Sequence, residues 1–416
     1  MKLQEGVHLH FIPTEKFTTN SIKIRFAAPM EEETVAGRVL VANILEMANA
    51  DYPRNIDFRR KLAHLYGASF STSVSRRGEA HLIDLNVSFV RPEHLPKGVA
   101  LTQEILAVLE AVLFRPLTEK DGFKQQLFEM EKRNLIAYLE SEVEDNFYHA
   151  DLELNALFYQ KSDLKIPRVA TKTLVEKETA QSVFQAYKNM LQLDKIDIFL
   201  AGSFDHAYME DFFRSLPFSF RNPKLALDYQ QEFSKITREK TERKEANQSI
   251  LELAYHLQVL YTDVNYPALL VFNNLFGSSA HSKLFVQLRE REGLAYTVGS
   301  SLHVFSGMMR VYAGIDRKER LRVMKLIRQQ LSDMKLGKFS DEDLLLSKKV
   351  LTTDAKLSQD RVSTIIEEAY NRSIYGDQVR TYSQWIDAVN SVSREEIMAV
   401  AKGIKLQAVY FMEGIQ

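Results

Sequence analysis

The chain has 416 residues, with 54 Lys and Arg against 55 Asp and Glu, and it contains no cysteine. At about 100–200 residues per domain, this length predicts two or three domains and excludes a single small module. The balanced charge offers no basic excess for binding nucleic acid or an anionic membrane. Without cysteine there are no disulfides, thiolate nucleophiles or cysteine-bound zinc sites, and the composition fits a reducing compartment.

The first residues, Met1 to Gly6, are polar and lack the apolar region of a secretory signal. No apolar stretch approaches the roughly 18 residues that a membrane-spanning helix needs. We therefore expect a cytoplasmic protein that does not bind a membrane.

The first half of the sequence alternates strand-like and helix-like segments. The predicted strands are His8–Phe11, Ser21–Pro29, Ser69–Val74, His81–Val90 and Ile196–Gly202. The predicted helices are Val35–Ala50, Phe58–Leu65, Leu101–Phe114, Gly122–Phe158 and Leu174–Met190. Gly67 follows the second helix, where a left-handed cap is expected.

The second half repeats this order of elements. Three residue pairs match at an offset of 226 positions: Leu62 with Leu288, Gly67 with Gly293, and Phe70 with Tyr296. Each matched stretch is followed by a hairpin, then by long helical segments (Gly122–Phe158 or Asp341–Tyr375) and a closing strand (Ile196–Gly202 or Gln407–Glu413). The shared order indicates a duplicated unit.

We therefore predict an α+β protein of two homologous domains, residues 1–220 and 235–416. Each should contain a mostly antiparallel sheet with helices packed on one face. Between them, Pro217–Pro223 begins a joint and the charged run Thr237–Glu245 ends it. A run of mixed charges is typical of a solvated face or linker.

The usual self-contained catalytic motifs are missing. The ten histidines form no His-x-x-x-His or His-x-x-Glu-His pair, and there is neither a P-loop nor a Gly-x-Ser-x-Gly elbow. His8 and His10 lie two residues apart on a predicted strand. They are either two half-exposed strand histidines or part of a metal site whose other ligands the sequence does not identify.

The segment Phe276–Tyr296, with its Leu-Arg-Glu and Gly-Leu-Ala-Tyr motifs, resembles the insulinase/pitrilysin and mitochondrial-processing-peptidase family. The resemblance extends over nearly the whole chain as two homologous halves. It is greatest for the short bacterial members, some of which work as paired unlike subunits.

The resemblance implies that, in active members, a first-half helix carries His-x-x-Glu-His and a later helix supplies two further glutamates. At the matching positions this chain has Asn43, Glu46 and Met47, and then Glu131 and Tyr138. Only the general-base position, Glu46, and the first acid, Glu131, are kept. Amide, thioether and protonated phenol groups are poor zinc ligands, so we expect no metal on this chain.

The second half keeps Arg289 and Tyr296, which the resemblance implies contact the substrate and the developing oxyanion. Their first-half counterparts are Ala63 and Phe70. A guanidinium and a phenol are suitable donors for such a role. As isolated features, they would be read as a surface helix residue and a strand aromatic.

Two hypotheses follow. In the first, this chain is a zinc-free subunit of a heterodimeric peptidase that encloses peptides in a chamber. A homologous partner would hold the zinc, and this chain would need no cofactor of its own. Peptide would add to the edge strand containing Ser69, Phe70, Ser71 and Thr72. In the second, the chain is an inactive peptide-binding or scaffolding relative, and a homodimer is also possible.

Overall fold

The structure, a computed structural model, describes residues 1–415. The elements of the first half are β1 (Lys2–Gln4), β2 (Val7–Pro13), β3 (Thr19–Pro29), α1 (Glu32–Met47), α2 (Asn55–His64), β4 (Ser69–Arg77), β5 (Ala80–Val90), α3 (Leu101–Phe114), β6 (Thr118–Glu119), β7 (Gly122–Phe123), α4 (Gln125–Glu144), α5 (Asn146–Phe158), α6 (Lys172–Lys177), α7 (Ala180–Leu193), β8 (Lys195–Gly202) and α8 (His206–Ser215).

The second half continues with β9 (Arg238–Lys244), β10 (Ser249–His256), α9 (Tyr266–Asn273), β11 (Ala295–His303), β12 (Met308–Ile315), α10 (Arg320–Lys335), α11 (Asp341–Ser358), α12 (Val362–Tyr375), α13 (Tyr382–Ser391), α14 (Arg394–Gly403) and β13 (Lys405–Gly414). Two π-helical segments, Asn274–Ser278 and Phe285–Arg291, lie between α9 and β11. Among residues 1–415, no helix is long and apolar enough to cross a membrane.

The two large sheets have the same topology. The first has the strand order β1-β2-β8-β3-β5-β4, and the second has β11-β12-β10-β13-β9. Read from the opposite end, the second sheet matches the first strand for strand once β1 is left out. In each sheet one pair is parallel, β2 with β8 and β9 with β13, and the other pairs are antiparallel. The predicted α+β class and the mostly antiparallel sheets are confirmed.

Gly67 and Gly293 occupy equivalent places in the two halves. Gly67 (φ +73°) ends the turn after α2 and precedes β4, while Gly293 (φ +61°) follows the second π-helical segment and precedes β11. Glycine adopts this left-handed conformation without the steric cost that a Cβ atom imposes. Both following strands lie at the end of their sheets, as a duplicated unit requires.

The compact units are not the contiguous stretches 1–220 and 235–416. The first unit contains residues 1–141, 166–227 and 360–371, and the second contains 142–165, 228–359 and 372–416. Most of α12 therefore belongs to the first unit, and α5 belongs to the second. We call α5 and α12 the exchanged helices.

The exchanged helices cover the sheet face opposite the main helical layer. In the second unit, Ala150 and Leu154 of α5 pack with Ile250 and Ala254 of β10, whereas alternate residues of β10 enter the other core. In the first unit, Glu367 of α12 binds Arg25 of β3. The sequence predicted helices on one face of each sheet only, whereas the structure has a further helix on the opposite face.

Two segments differ from the sequence prediction. Most of the charged run 237–245 is not a linker but strand β9, which pairs in parallel with β13 and alternates between half-buried and exposed residues. The predicted helix Gly122–Phe158 begins with a short strand and is divided in two at Asp145. The Asp145 side chain accepts hydrogen bonds from the amides of Phe147 and Tyr148 and so caps α5.

Candidate functional site

Helix α1 presents the positions of the family's first two zinc ligands on one face. Asn43, Glu46 and Met47 are half-buried, whereas Ile44 and Leu45 are buried in the core of the first unit. Residues three and four apart share a helix face, so these three side chains lie on a common surface. Met47 Sδ accepts a hydrogen bond from Asn55 Nδ2 at 3.4 Å.

Glu46 is held by three contacts on the neighbouring elements. Its Oε2 accepts from the Thr72 amide at 2.8 Å and from the Thr72 hydroxyl at 3.0 Å. Its Oε1 pairs with Arg59 Nη2 at 3.1 Å. Both oxygens of the retained general-base position are therefore engaged by β4 and α2.

Helix α4 carries the other two positions in different environments. Glu131 is buried, with 5% of its surface exposed, and Asn134 donates to its Oε1 at 3.2 Å. Burial raises the pKa of Glu131, and the nearby Glu46 carboxylate raises it further. Tyr138 lies two turns later with 45% of its surface exposed.

The donor groups at these positions do not fit zinc. An amide oxygen, a thioether that already accepts a hydrogen bond and a phenol stand where the family places two imidazoles and a carboxylate. Zinc in proteins is bound by imidazole nitrogen, thiolate or carboxylate. We therefore derive no catalytic step through a metal on this chain.

The predicted substrate strand, β4, lies at the end of its sheet. Ser69 and Ser71 are exposed, Thr72 is half-buried, and Phe70 is buried with 2% exposed. Its outer edge is bonded by side chains at two points, because Arg59 Nη1 also donates to the Phe70 carbonyl at 3.1 Å.

The structure brings Arg289 and Tyr296 together in the second unit. The Arg289 guanidinium lies 4.9 Å from the Tyr296 ring centre and 4.7 Å from that of Phe285, and its Nε is 3.6 Å from Glu290. Contact with the two rings fixes the plane of the guanidinium. Tyr296 is 77% exposed, so this phenol faces solvent.

A β-bulge explains why Tyr296 is exposed although its counterpart Phe70 is buried. Ala295 pairs with Ile315 and Thr297 pairs with Gly314, so Tyr296 is an extra residue without a partner on β12. A bulge interrupts the alternation of side chains and commonly re-aims one of them beside a functional site. Strand β4 has regular pairing at its start, and Phe70 points into the core.

The His8–His10 pair lies beside Asp197 of the adjacent strand. His10 Nε2 is 2.9 Å and His8 Nδ1 is 3.8 Å from Asp197 Oδ1. Lys195 Nζ is 2.6 Å from the second oxygen of Asp197. The additional ligand that the sequence did not identify would be Asp197, whose charge is already matched by Lys195.

One group of possible ligand side chains among residues 1–415 lies within metal-binding range: His149, Glu153 and Glu242. Lys240 forms ion pairs with both carboxylates, at 2.5 Å from Glu153 and 3.8 Å from Glu242. An ammonium group therefore already supplies the positive charge of this cluster.

Comparison with known proteins places the chain in a family. Residues 177–351 match the family description "Peptidase M16 inactive domain". The chain is 26% identical over 415 residues to the "Probable inactive metalloprotease YmfF" of Bacillus subtilis (strain 168), covering 99% of this chain and 96% of the relative. The chain belongs to the M16 metallopeptidase family, the insulinase and processing-peptidase group. It resembles members described as inactive.

Solved structures share the fold of this chain. A "conserved protein from Enterococcus faecalis V583" is 37% identical with a TM-score of 0.97, and the match covers 100% of this chain and 98% of that one. The "peptidase M16 inactive domain from Pseudomonas fluorescens" has a TM-score of 0.80 at 16% identity, covering 99% and 97%. The second likeness shows the M16 fold alone.

Sequence reasoning missed two features of the site. Arg59 was not recognised, because its partners come from α1 and β4 and no spacing in the sequence joins them. The bulge at Tyr296 was also missed, since an extra residue in strand pairing leaves no composition signal of its own. The Gly-Leu-Ala-Tyr motif marked the position but not the direction of the phenol.

Proposed function

We propose that this chain is a zinc-free subunit of a two-chain peptidase and contributes Arg289 and Tyr296 to the active site of a homologous zinc-bearing partner. The observation that carries the proposal is the exposed phenol of Tyr296, displayed by a bulge and stacked under the Arg289 guanidinium. The substrate would be a peptide. The cysteine-free composition fits a cytoplasmic setting.

The chemistry of the pair suits a carbonyl that gains negative charge. A guanidinium is permanently charged and has five N–H donors, and a phenol donates one O–H from a rigid ring. Donors that are already oriented stabilise a developing oxyanion without having to reorganise during the reaction. The rings of Phe285 and Tyr296 contact the Arg289 guanidinium, and its Nε lies 3.6 Å from Glu290. The remaining N–H groups of Arg289 would face such an oxygen.

The state of the first unit supports assigning the metal to a partner. The positions of the zinc ligands carry poor donors, and both oxygens of Glu46 are engaged by Thr72 and Arg59. A carboxylate in these contacts is not poised to accept a proton from water. The chain by itself is therefore expected to have no peptidase activity.

The second candidate is a non-catalytic M16 protein that binds peptides or serves as a scaffold, alone or as a homodimer. It is favoured by the same engaged Glu46 and by the relative described as probably inactive. Under this hypothesis, Arg289 and Tyr296 would be structural residues.

Affinity capture followed by reconstitution separates the two candidates. The tagged chain would be used to capture proteins from a lysate of its source organism, and mass spectrometry would identify them. The proposal expects a homologue with an intact His-x-x-Glu-His motif. A mixture of the two purified chains should cleave quenched fluorescent peptides that neither chain cleaves alone. A stable complex without cleavage, or capture of this chain only, would favour the scaffold or homodimer.

A further inference from the structure

The outer edge of β4 would normally be open to another strand. An edge strand presents unpaired N–H and C=O groups, and extended peptides bind proteins by adding to such edges. In β4 the backbone groups of alternate residues point away from β5, and the contacts of Phe70 and Thr72 identify these two as facing outward.

Two side chains form hydrogen bonds with these outward-facing backbone groups. Arg59 of α2 donates to the Phe70 carbonyl at 3.1 Å, and Glu46 of α1 accepts from the Thr72 amide at 2.8 Å. The two side chains also pair with each other at 3.1 Å. Together they supply one donor and one acceptor to the edge, as a residue of an added strand would.

At Phe70 and Thr72, these contacts block both ways of adding a strand. A parallel strand would bond the carbonyl of one residue and the amide two residues later, which here are the groups of Phe70 and Thr72. An antiparallel strand would need both the amide and the carbonyl of one residue. One of the two is already bonded at either position.

A further contact fixes β4 to helix α1. The Thr72 hydroxyl lies 3.0 Å from Glu46 and 3.0 Å from the Ala42 carbonyl of α1, so β4 is fixed to the helix that bears Glu46. Hydrogen bonds with an ionised partner are roughly twice as strong as neutral ones, so a neutral peptide would compete poorly.

We propose that Glu46 and Arg59 form an edge cap that closes β4 to extended peptides. The residue at the family's general-base position thus acts here in steric and hydrogen-bonding exclusion. The inference concerns the isolated chain, and it would hold whether or not the chain has a zinc-bearing partner. It also argues against the expectation that Ser69–Thr72 is the substrate strand of this subunit.

The test measures binding of a defined extended peptide to the isolated chain. The probe is a fluorescein-labelled peptide of alternating Thr and Val. Its control is the same peptide N-methylated at alternate residues, which cannot donate along one edge. Glu46→Ala and Arg59→Ala open the cap from its two sides. Glu32→Gln on α1 and Arg60→Ala on α2 are controls that change the same charges at exposed positions.

We expect weak or no anisotropy change with the parent chain and the two controls. Glu46→Ala should bind the probe at least about tenfold more tightly, because an amide hydrogen bond becomes available, and N-methylation should abolish the gain. Hydrogen exchange should show a fast Thr72 amide in this variant that becomes protected when the probe is added. Arg59→Ala, whose side chain is 40% exposed, should fold normally and show a smaller gain.

Equal binding of the probe by the parent chain and the variants would overturn the edge cap. So would a folded Glu46→Ala variant whose Thr72 amide exchanges quickly but which gains no affinity. If Glu46→Ala does not fold, Arg59→Ala decides: a gain sensitive to N-methylation supports the cap, and no gain refutes it.

Discussion

Strands β4 and β11 occupy the same place in two duplicated sheets, yet their edges have diverged. The outer edge of β4 is bonded by Arg59 and Glu46. Strand β11 instead carries the 77% exposed Tyr296, whose ring lies 4.9 Å from the Arg289 guanidinium. The first edge is closed, and the family's general-base position serves there as a structural contact. The second strand displays the Tyr296 phenol, with Arg289 of the preceding π-helical segment beside it.

The second residue of each strand shows how small the difference in sequence is. Phe70 and Tyr296 match at the same offset as the glycines that precede them, but one is 2% and the other 77% exposed. The single unpaired residue in β11 reverses the direction of the side chain. Alignment of two halves therefore identifies equivalent positions without showing which way a side chain points.

The largest expected effect is a loss of stability when the arginine that anchors an exchanged helix is removed. Arg25 binds Asp84 at 2.7 Å through two nitrogens and also binds Glu367 of α12. Arg25→Ala would leave buried Asp84 with only Lys23, and breaking a buried pair typically costs about 3–5 kcal/mol of unfolding free energy. Urea unfolding followed by hydrogen exchange in β3 measures this loss.

The second unit offers the matched variant. Arg310 lies between Glu252 of β10 and Asp151 of α5, so Arg310→Ala should cost a similar amount, read in β10. Lys16→Ala, which removes an exposed pair with Asp360, is the control and should cost below about 1 kcal/mol. If only one of Arg25→Ala and Arg310→Ala lost this stability, the two helices would not be anchored alike.

The next effect tests the donors Arg289 and Tyr296 in the reconstituted two-chain enzyme. Tyr296→Phe removes one hydroxyl and should lower kcat by on the order of 10²–10³, or about 2.7–4 kcal/mol, the usual cost of losing an oxyanion donor. Arg289→Ala should cost at least as much and should raise KM if the guanidinium holds the peptide. Initial rates measure both.

Phe70→Tyr, at the matching position of β4, is a further variant in this assay. It should leave the rate unchanged because this ring points into the core. The metal content of the complex should stay constant in every variant. Unaltered rates in Tyr296→Phe and Arg289→Ala, with complex formation intact, would make the scaffold hypothesis the better account.

A smaller effect concerns the pH dependence of the first unit. His81 Nδ1 accepts from Arg38 Nε at 3.0 Å and its Nε2 lies 2.9 Å from the Arg168 carbonyl, which fixes the neutral ring. Burial, with the Arg38 charge, lowers the pKa of His81 from 6.5 to about 3.

The unfolded chain therefore binds more protons than the native one below pH 6.5, and acid reduces stability. Between pH 6.5 and pH 5 the loss from this group is about 1.6 kcal/mol. His81→Gln should remove this part of the pH dependence from exchange-monitored urea unfolding of β5. A pH profile that is the same in parent and variant would contradict the assignment.

The sequence predicted the order of elements and their duplication well. Apolar periodicity located α1 and the core strands, and the pair Gly67 and Gly293 fixed the correspondence between the halves. Strand β9 was missed because its residues are almost all charged, and an edge strand of this kind lacks an apolar face. The exchange of α5 and α12 could not be predicted from the sequence. Each helix has an apolar face that either unit could bury, so tertiary packing decides which unit the helix joins.

The candidate site was predicted in part. The family resemblance pointed to Asn43, Glu46 and Met47, which share one face of α1, and its motif pointed to Arg289 and Tyr296. The contacts that define the two edges were not predicted, because they depend on Arg59 from a separate helix and on one unpaired residue in β11. Both are properties of three-dimensional pairing rather than of local sequence.

Site-specific photo-crosslinking tests the contrast between the two edges most directly. A photoreactive phenylalanine analogue would replace Tyr296 in one variant and Ser71, exposed on β4, in another, each with the partner and a labelled peptide substrate. The account predicts that the peptide crosslinks to position 296 and not to position 71. Crosslinking to position 71 with none to position 296 would contradict it, because the peptide would then lie along the edge that Glu46 and Arg59 are inferred to close.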